Sequence, residues 1–203
     1  MRFIIATHNP HKLEEMRRIL VPLGIEAVTD TDLGIILPDV EETGETFAEN
    51  AYLKAASACK ATGLPAIADD SGLMVDALNG APGVYSARYA GEDGDDAACM
   101  NKLLSEMKEV PLSERGAQFQ SDISCVFPNG DMLTAKGVCR GYIAFTPAGN
   151  NGFGYDPVFA VEEYNGRTYA EISDSEKDAI SHRGLALREF APILREFLQK
   201  HPQ

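Results

Sequence analysis

The sequence of 203 residues contains no stretch near the ~20 consecutive apolar residues that a membrane span needs, so no helical membrane anchor is expected within it. It opens "MRFIIATHNPHK", a short apolar run without a small-residue cleavage site, which does not read as a signal peptide. Cysteine is scarce: four residues, at positions 59, 99, 125 and 139, none in a C-x-x-C pair. That sets aside a metal ribbon, a dithiol redox motif and a disulfide framework, and leaves reduced, buried thiols in the cytoplasm as the expectation. Basic residues are also few, 18 against 31 acidic, for a net charge of −13. Such a surface repels nucleic acid backbones, so nucleic acid is not an expected partner. A small polyanion remains compatible, because a pocket can hold a few lysines or arginines and a divalent metal inside an acidic exterior. No Pro-rich or Gly/Ser-rich tract and no internal repeat interrupts the chain, so residues 1–203 read as a single domain without a linker. G-x-S-x-G, H-E-x-x-H and the Walker pattern G-x-x-x-x-G-K-[ST] are absent. Ser71 has no His and acid partners in a triad arrangement, and a serine hydrolase is not expected.

What is present alternates between strand and helix signals. "RFIIA", residues 2–6, is apolar and β-branched enough for a buried strand. After it, Leu13, Met16, Leu20 and Leu23 recur at helical spacing, with Gly24 as a stop. In "TFAENAYLKAASACKATG", Thr46 and Glu49 have capping-box spacing, and Phe47, Ala51, Ala55, Ala58 and Cys59 share a helix face. Gly63 and Pro65 end that helix, and "AIA" supplies a short strand that stops before Asp69 and Asp70. Phe119, Ile123, Cys125 and Phe127 alternate with Gln118, Gln120, Asp122 and Ser124 as a half-buried strand, and "PNGD" turns into a second strand near 132–140. The segment 181–201 has a helical apolar pattern containing Pro192, expected to kink or split it. These signals predict an α/β fold with an elongated mixed sheet flanked by helices, in two lobes with a cleft between them.

Several polar clusters carry possible chemistry. Two adjacent acids in "AIADDSGL" suggest a cation or an unusual proton, although Asp, Ser and Gly are also ordinary turn residues. In "THNPHK", Thr7, Asn9 and Lys12 lie between strand and helix, where a hydroxyl, an amide and an ammonium suit phosphate oxygens; an ordinary helix-starting loop is the alternative. Glu41 and Glu42 precede the second helix and matter if the fold brings one near Asp70, since oxygen-only ligands suit Mg²⁺; a solvated acidic loop is the alternative. "GNNGFGYDP", residues 149–157, combines three glycines with two aromatics, as in a loop whose backbone approaches a flat ligand with Phe153 stacked on it. Lys177, His182 and Arg183 fall within seven residues and suit an anion or a carbonyl, if they are not simply a surface cluster; Lys54 is a further candidate of that kind.

Taken in order, "THNPHK", "EETGETFAENAYLKA", "AIADDSGL", "GAPGVYSARYAG", "PAGNNGFGYDP" and "SHRG" resemble the signature of the Ham1 family of purine nucleoside triphosphate pyrophosphatases, the inosine triphosphatase or dITP/XTP pyrophosphatase enzymes. The resemblance runs from residue 3 to about residue 195. It implies a Mg²⁺-dependent homodimer that cleaves ITP, dITP or XTP between the α and β phosphates, giving the monophosphate and pyrophosphate. It further implies that Thr7, His8, Asn9, Pro10, His11 and Lys12 form the triphosphate loop, with Lys54 and Ser71 also touching substrate. Glu41 and Asp70 would hold Mg²⁺, with Asp69 as an additional ligand, and Asp70 would also be the base for the attacking water. Phe153, Gly154, Tyr155, Asp156, Lys177, His182 and Arg183 would form the base pocket, where donors from His182 or Arg183 suit a 6-oxo purine. His8 stands where many relatives have Gly. Two alternatives accompany this reading: a Maf-like pyrophosphatase specific for pyrimidine nucleotides, and a nucleotide-binding regulator without chemistry.

Overall fold

A computed structural model describes residues 2–91 and 95–201, the side chain of Leu23 aside. In chain order the elements are β1 (Arg2–Ile5), α1 (Pro10–Leu20), β2 (Glu26–Val28), α2 (Asp30–Leu33), α3 (Phe47–Thr62), β3 (Ala66–Val75), α4 (Asp96–Glu106), β4 (Gly116–Val126), β5 (Met132–Ile143), β6 (Phe159–Val161), β7 (Arg167–Thr168), α5 (Asp174–Ile180) and α6 (His182–Lys200). The seven strands form one sheet in the order β2-β1-β3-β4-β5-β6-β7. β1 is parallel to β2 and to β3, where Ile4 meets Ala66 and Ile5 meets Ile67. β6 is antiparallel to β5 and to β7, so the sheet is mixed and the fold α/β, as the strand and helix signals predict.

The chain divides into two compact units. The first comprises the residues up to Asp70, Ser121–Gly137 and the segment from His182 onward; the second comprises Ser71–Gln120 and Val138–Ser181. The passages at 70/71, 120/121 and 137/138 fall inside β3, β4 and β5, and a fourth, at 181/182, falls between α5 and α6.

In the first unit, β1 and β3 are covered on both faces. Phe3, Ile5 and Ile67 pack with Met16 and Leu20 of α1 and with Leu187, Phe190 and Leu194 of α6. The alternate residues Ile4, Ala66 and Ala68 pack with Ala55, Ala58 and Cys59 of α3. Side chains along a strand point to opposite faces in turn, and this period separates the two sets. The α3 stripe is the one its sequence predicts, with the Thr46/Glu49 capping box formed and Gly63 ending the helix at φ 68°. α1 stops at Leu20 rather than running on to Leu23, because Pro22 has no N–H to continue the ladder; a 3₁₀ turn and Gly24 at φ 77° close it. α6 is not split: Pro192 sits inside one continuous helix whose buried residues include Leu187, Phe190 and Leu194.

Two strand expectations are corrected. β3 does not end at Ala68 but continues through Asp69, Asp70, Ser71 and Gly72 to Val75, so "DDSG" is strand and not turn. β4 is not half-exposed in the first unit: Asp122 and Ser124 are buried with Ile123 and Cys125. The cause is that both faces are covered there, Cys125 and Phe127 joining the α1/α6 side and Val126 the α3 side. The hairpin at "PNGD" forms as predicted, with Phe127 N donating to Asp131 O at 2.9 Å.

The second unit has an aromatic core in which Phe159 meets Phe119 and Tyr169 edge-on at 4.8 and 4.9 Å. Beside it, the buried Arg115 guanidinium donates to the carbonyls of Met107, Val110, Ile143 and Ala144 and lies 4.4 Å from the Phe145 ring. All four cysteines are free and buried, as expected. Among the described residues, no helix is long and apolar enough to cross a membrane.

Candidate active site

The adjacent acids are kept apart by the strand that carries them. Asp69 shares the face of Ile67 and turns toward α1 and α6; Asp70 shares the face of Ala68 and turns toward α3. Each meets its own cations, which is why two carboxylates can be buried side by side in sequence.

On the α1/α6 side, Arg183 donates to Asp69 Oδ2 from Nε at 3.1 Å and from Nη2 at 3.0 Å. Its Nη1 makes a short contact with Glu15 on α1, and Lys12 Nζ lies 3.4 Å from the same Asp69 oxygen. The other oxygen, Asp69 Oδ1, is buried without a hydrogen-bond partner. Burial alone would raise the Asp69 carboxyl, but Arg183, Lys12 and Lys54 outweigh it and hold it well below the usual carboxylate range. Burial lowers the Lys12 ammonium, which Asp69 restores only in part.

On the α3 side, Lys54 Nζ donates to Asp70 Oδ1 at 2.7 Å and to Glu42 Oε1 at 3.0 Å. One helical turn earlier, Asn50 Nδ2 lies 3.4 Å from Asp70 Oδ2. Asn50 Oδ1 also accepts from Gly44 N at 2.8 Å, tying the acidic segment to the helix. Gly44 is needed for that approach, since a Cβ there would stand 2.6 Å from Asn50 Oδ1. Burial pushes the Asp70 carboxyl up, offset only partly by Lys54 and Lys12. Burial would lower Lys54, yet Asp70, Asp69 and Glu42 hold its ammonium above its ordinary value. The two neighbouring carboxyls are thus driven in opposite directions, Asp69 down by its cations and Asp70 up by burial, and neighbouring carboxylates driven apart in proton affinity are a recurrent acid–base arrangement.

The loop before α1 is a helix start. Asn9 Oδ1 accepts from the N–H groups of His11 and Lys12 at 2.9 and 3.2 Å, Pro10 opens the helix, and Thr7 Oγ1 accepts from Asn9 N. His8 and His11 are exposed, and the His8 ring lies 3.9 Å from Asp30 and 3.8 Å from Asp39. Glu41 is exposed, and the carboxylate that reaches Lys54 is that of Glu42. Among the described residues no group of three His, Cys, Asp or Glu side chains converges on a point, so there is no metal cage made of protein alone.

The three basic residues read as one cluster are divided. Lys177 belongs to the second unit, where its buried ammonium pairs with Asp156 at 2.7 Å and lies 5.0 Å from the Phe153 ring. His182 and Arg183 belong to the first, both buried, with Arg183 paired to Asp69 and Glu15. The Arg183 guanidinium thus holds two carboxylates, Asp69 and Glu15.

In the loop 149–157, Asp156 also accepts from Phe153 N at 2.8 Å, and Gly154 N donates to Asp96 at 2.8 Å. Tyr155 is a core residue, 4% exposed, whose hydroxyl donates to Ser86 O. Two of the glycines answer to the protein's own packing: a Cβ at Gly149 would strike the Ala170 backbone, and one at Gly152 the Asp156 carboxylate. Ser71, half-buried in β3, opens the second unit.

Glu15, Asn50 and the Lys54 contact of Glu42 are absent from the sequence reading. Two had a visible signal. Glu15 is three residues after Lys12 on one helix, and Asn50 and Lys54 are polar residues four apart beside the apolar stripe of α3.

The Ham1 family model matches residues 3–193. The dITP/XTP pyrophosphatase of Streptomyces avermitilis is 49% identical over 198 residues, spanning 97% of this chain and 98% of the relative. That of Bacillus subtilis is 46% identical over 191 residues, spanning 94% and 96%. A solved HAM1 protein from Coxiella burnetii matches with a TM-score of 0.86 at 46% identity, over 97% of this chain and 99% of its own. With matches of this identity along nearly its whole length, the chain belongs to the Ham1 family.

Proposed function

We propose that the protein hydrolyses non-standard purine nucleoside triphosphates, dITP and XTP among them, to the monophosphate and pyrophosphate. The observation that carries the proposal is the division of labour at Asp69 and Asp70, one a permanent counter-ion and the other a buried carboxylate with raised proton affinity. Asp70 takes the proton of a water that attacks phosphorus. The bond to the bridging oxygen breaks, and pyrophosphate leaves with that electron pair. Lys12 and Lys54, each resting on a carboxylate in the free protein, are the cations available to the triphosphate. Phosphoryl transfer needs mainly positioning and charge neutralisation, which such a set supplies. The relatives carry dITP and XTP in their names, and this supports the choice of base.

A divalent cation fits the donors present. Asp70 and the Glu41–Glu42 pair offer only oxygen, and Mg²⁺ takes one or two carboxylates and completes its shell with water and phosphate. The ammonium of Lys54, between Asp70 and Glu42, already marks a position where positive charge is stabilised. Mg²⁺, when bound, would neutralise and orient the triphosphate. Action as a homodimer on free nucleotides of the cytoplasm belongs to the same proposal.

The test is product analysis with dITP, XTP, ATP, GTP and dTTP in Mg²⁺. Pyrophosphate from dITP and XTP, with the other three turned over poorly, is the expected result. Orthophosphate as first product, or equal turnover of all purine triphosphates, overturns the reading, and preference for dTTP redirects it to pyrimidines.

A further inference from the structure

We infer that Lys54 is an internal competitor for the divalent cation: in the nucleotide-free protein its ammonium occupies the carboxylates the metal needs, and the incoming phosphates draw it off. The inference rests on the metal site proposed above. Lys54 Nζ is 2.7 Å from Asp70 Oδ1 and 3.0 Å from Glu42 Oε1, and its side chain is only 17% exposed. A cation held by Asp70 and Glu42 therefore shares its carboxylates with an ammonium. Two positive charges at this separation in a partly desolvated site repel strongly, so one must yield.

The lysine has the means to yield. It stands on a four-carbon stem and uses no rigid fork, unlike Arg183 on the opposite face of the strand, which holds Asp69 through two nitrogens. Phosphate oxygens arriving with the substrate give the ammonium a new partner of the same kind, and Asp70 is released to the metal. Metal and triphosphate then favour each other's binding, and the metal alone binds weakly. A lysine whose only task is to hold phosphate would leave the affinity for the metal alone unchanged when removed.

Two affinities measured on the nucleotide-free protein decide the matter. Mn²⁺ binding is followed by electron paramagnetic resonance, and metal-free inorganic pyrophosphate binding by calorimetry. Lys54→Met is expected to bind Mn²⁺ roughly tenfold more tightly than the native protein, within the range of ordinary coupling between ligands, and to bind pyrophosphate more weakly. Lys54→Arg, which keeps the charge, is expected to keep the weak Mn²⁺ affinity. A variant that is merely misfolded loses both affinities, and such a loss in Lys54→Met, with Lys54→Arg binding as the native protein does, overturns the inference. So does an unchanged Mn²⁺ affinity in Lys54→Met. Asp70→Asn separates the two levels. If it loses Mn²⁺ while Lys54→Met is unchanged, only the competition fails; if it binds Mn²⁺ normally, the metal site itself is wrong.

Discussion

At the scale of single residues, Asp69 and Asp70 differ only in the face of β3 from which they project, and that difference assigns their roles. Under the proposed mechanism Asp70→Asn removes the proton acceptor but keeps the shape, so turnover is expected to fall ~10²–10⁴-fold while nucleotide binding persists. Pyrophosphate release and equilibrium binding, measured side by side, check it; near-normal turnover removes Asp70 from the mechanism. Asp69→Asn acts on stability instead, because it removes one of the two carboxylates paired with the buried Arg183. Breaking a buried pair of this kind costs about 3–5 kcal/mol. The pH dependence follows from the depressed carboxyl. The contribution is complete above the unfolded value of 3.8 and drains away as pH falls toward the lower folded value. The gap in melting temperature between native protein and Asp69→Asn is therefore constant through neutral pH and narrows below about pH 4. A gap that widens on acidification contradicts the assignment. The sequence made the pair conspicuous but not its division, since a polar turn and a buried strand can share the same four letters. Only the cations arriving from α1, α3 and α6 decide between them.

At the scale of elements, α1, α3 and α6 were legible, whereas α2, α4, α5 and the acidic segment before α3 were not. Asn9 and Thr46 are read correctly as helix starts because capping is local: a side chain bonds N–H groups two or three residues on. Locality also explains why the residues alone leave Glu41 and Glu42 undivided, Glu41 being singled out only by the family resemblance. Which of two neighbouring acids turns toward Lys54 depends on how the segment is pinned, and the pin is the bond between Gly44 N and Asn50 Oδ1. Gly44→Ala tests that pin. Its Cβ would stand 2.6 Å from Asn50 Oδ1 and 2.7 Å from Glu49 Cβ, so the segment must move. Overpacking of this sort costs ~1–3 kcal/mol. The functional effect is expected to exceed the loss of stability, appearing as a higher Mg²⁺ concentration for half-maximal turnover. An unchanged Mg²⁺ requirement in a variant of reduced melting temperature would show that Gly44 serves packing alone.

At the scale of the whole molecule, two lobes are expected from the sequence, but the bounds of the two units were hidden from it because neither unit is contiguous. Composition changes along a chain reveal domains strung in series, whereas here the chain passes between units four times, inside β3, β4 and β5 and between α5 and α6. Strands shared in this way make independent unfolding of either unit difficult, so thermal denaturation is expected as one cooperative transition. Arg115 gives a way to perturb it from the second unit. Its guanidinium is 1% exposed and bonds carbonyls that follow α4 and end β5, a role no local pattern signals. Arg115→Met fills much of the same space but takes the guanidinium donors away from those carbonyls, of which Met107 O keeps the N–H of Val110 at 3.1 Å, at a cost of about 3 kcal/mol. For a chain of this length that corresponds to a fall in melting temperature of ~6–12 °C. The transition should stay single, and kcat/KM at 25 °C should be preserved, because Arg115 bonds only carbonyls of its own unit. Two separated transitions in calorimetry would show instead that the units unfold independently despite the strands that run through both.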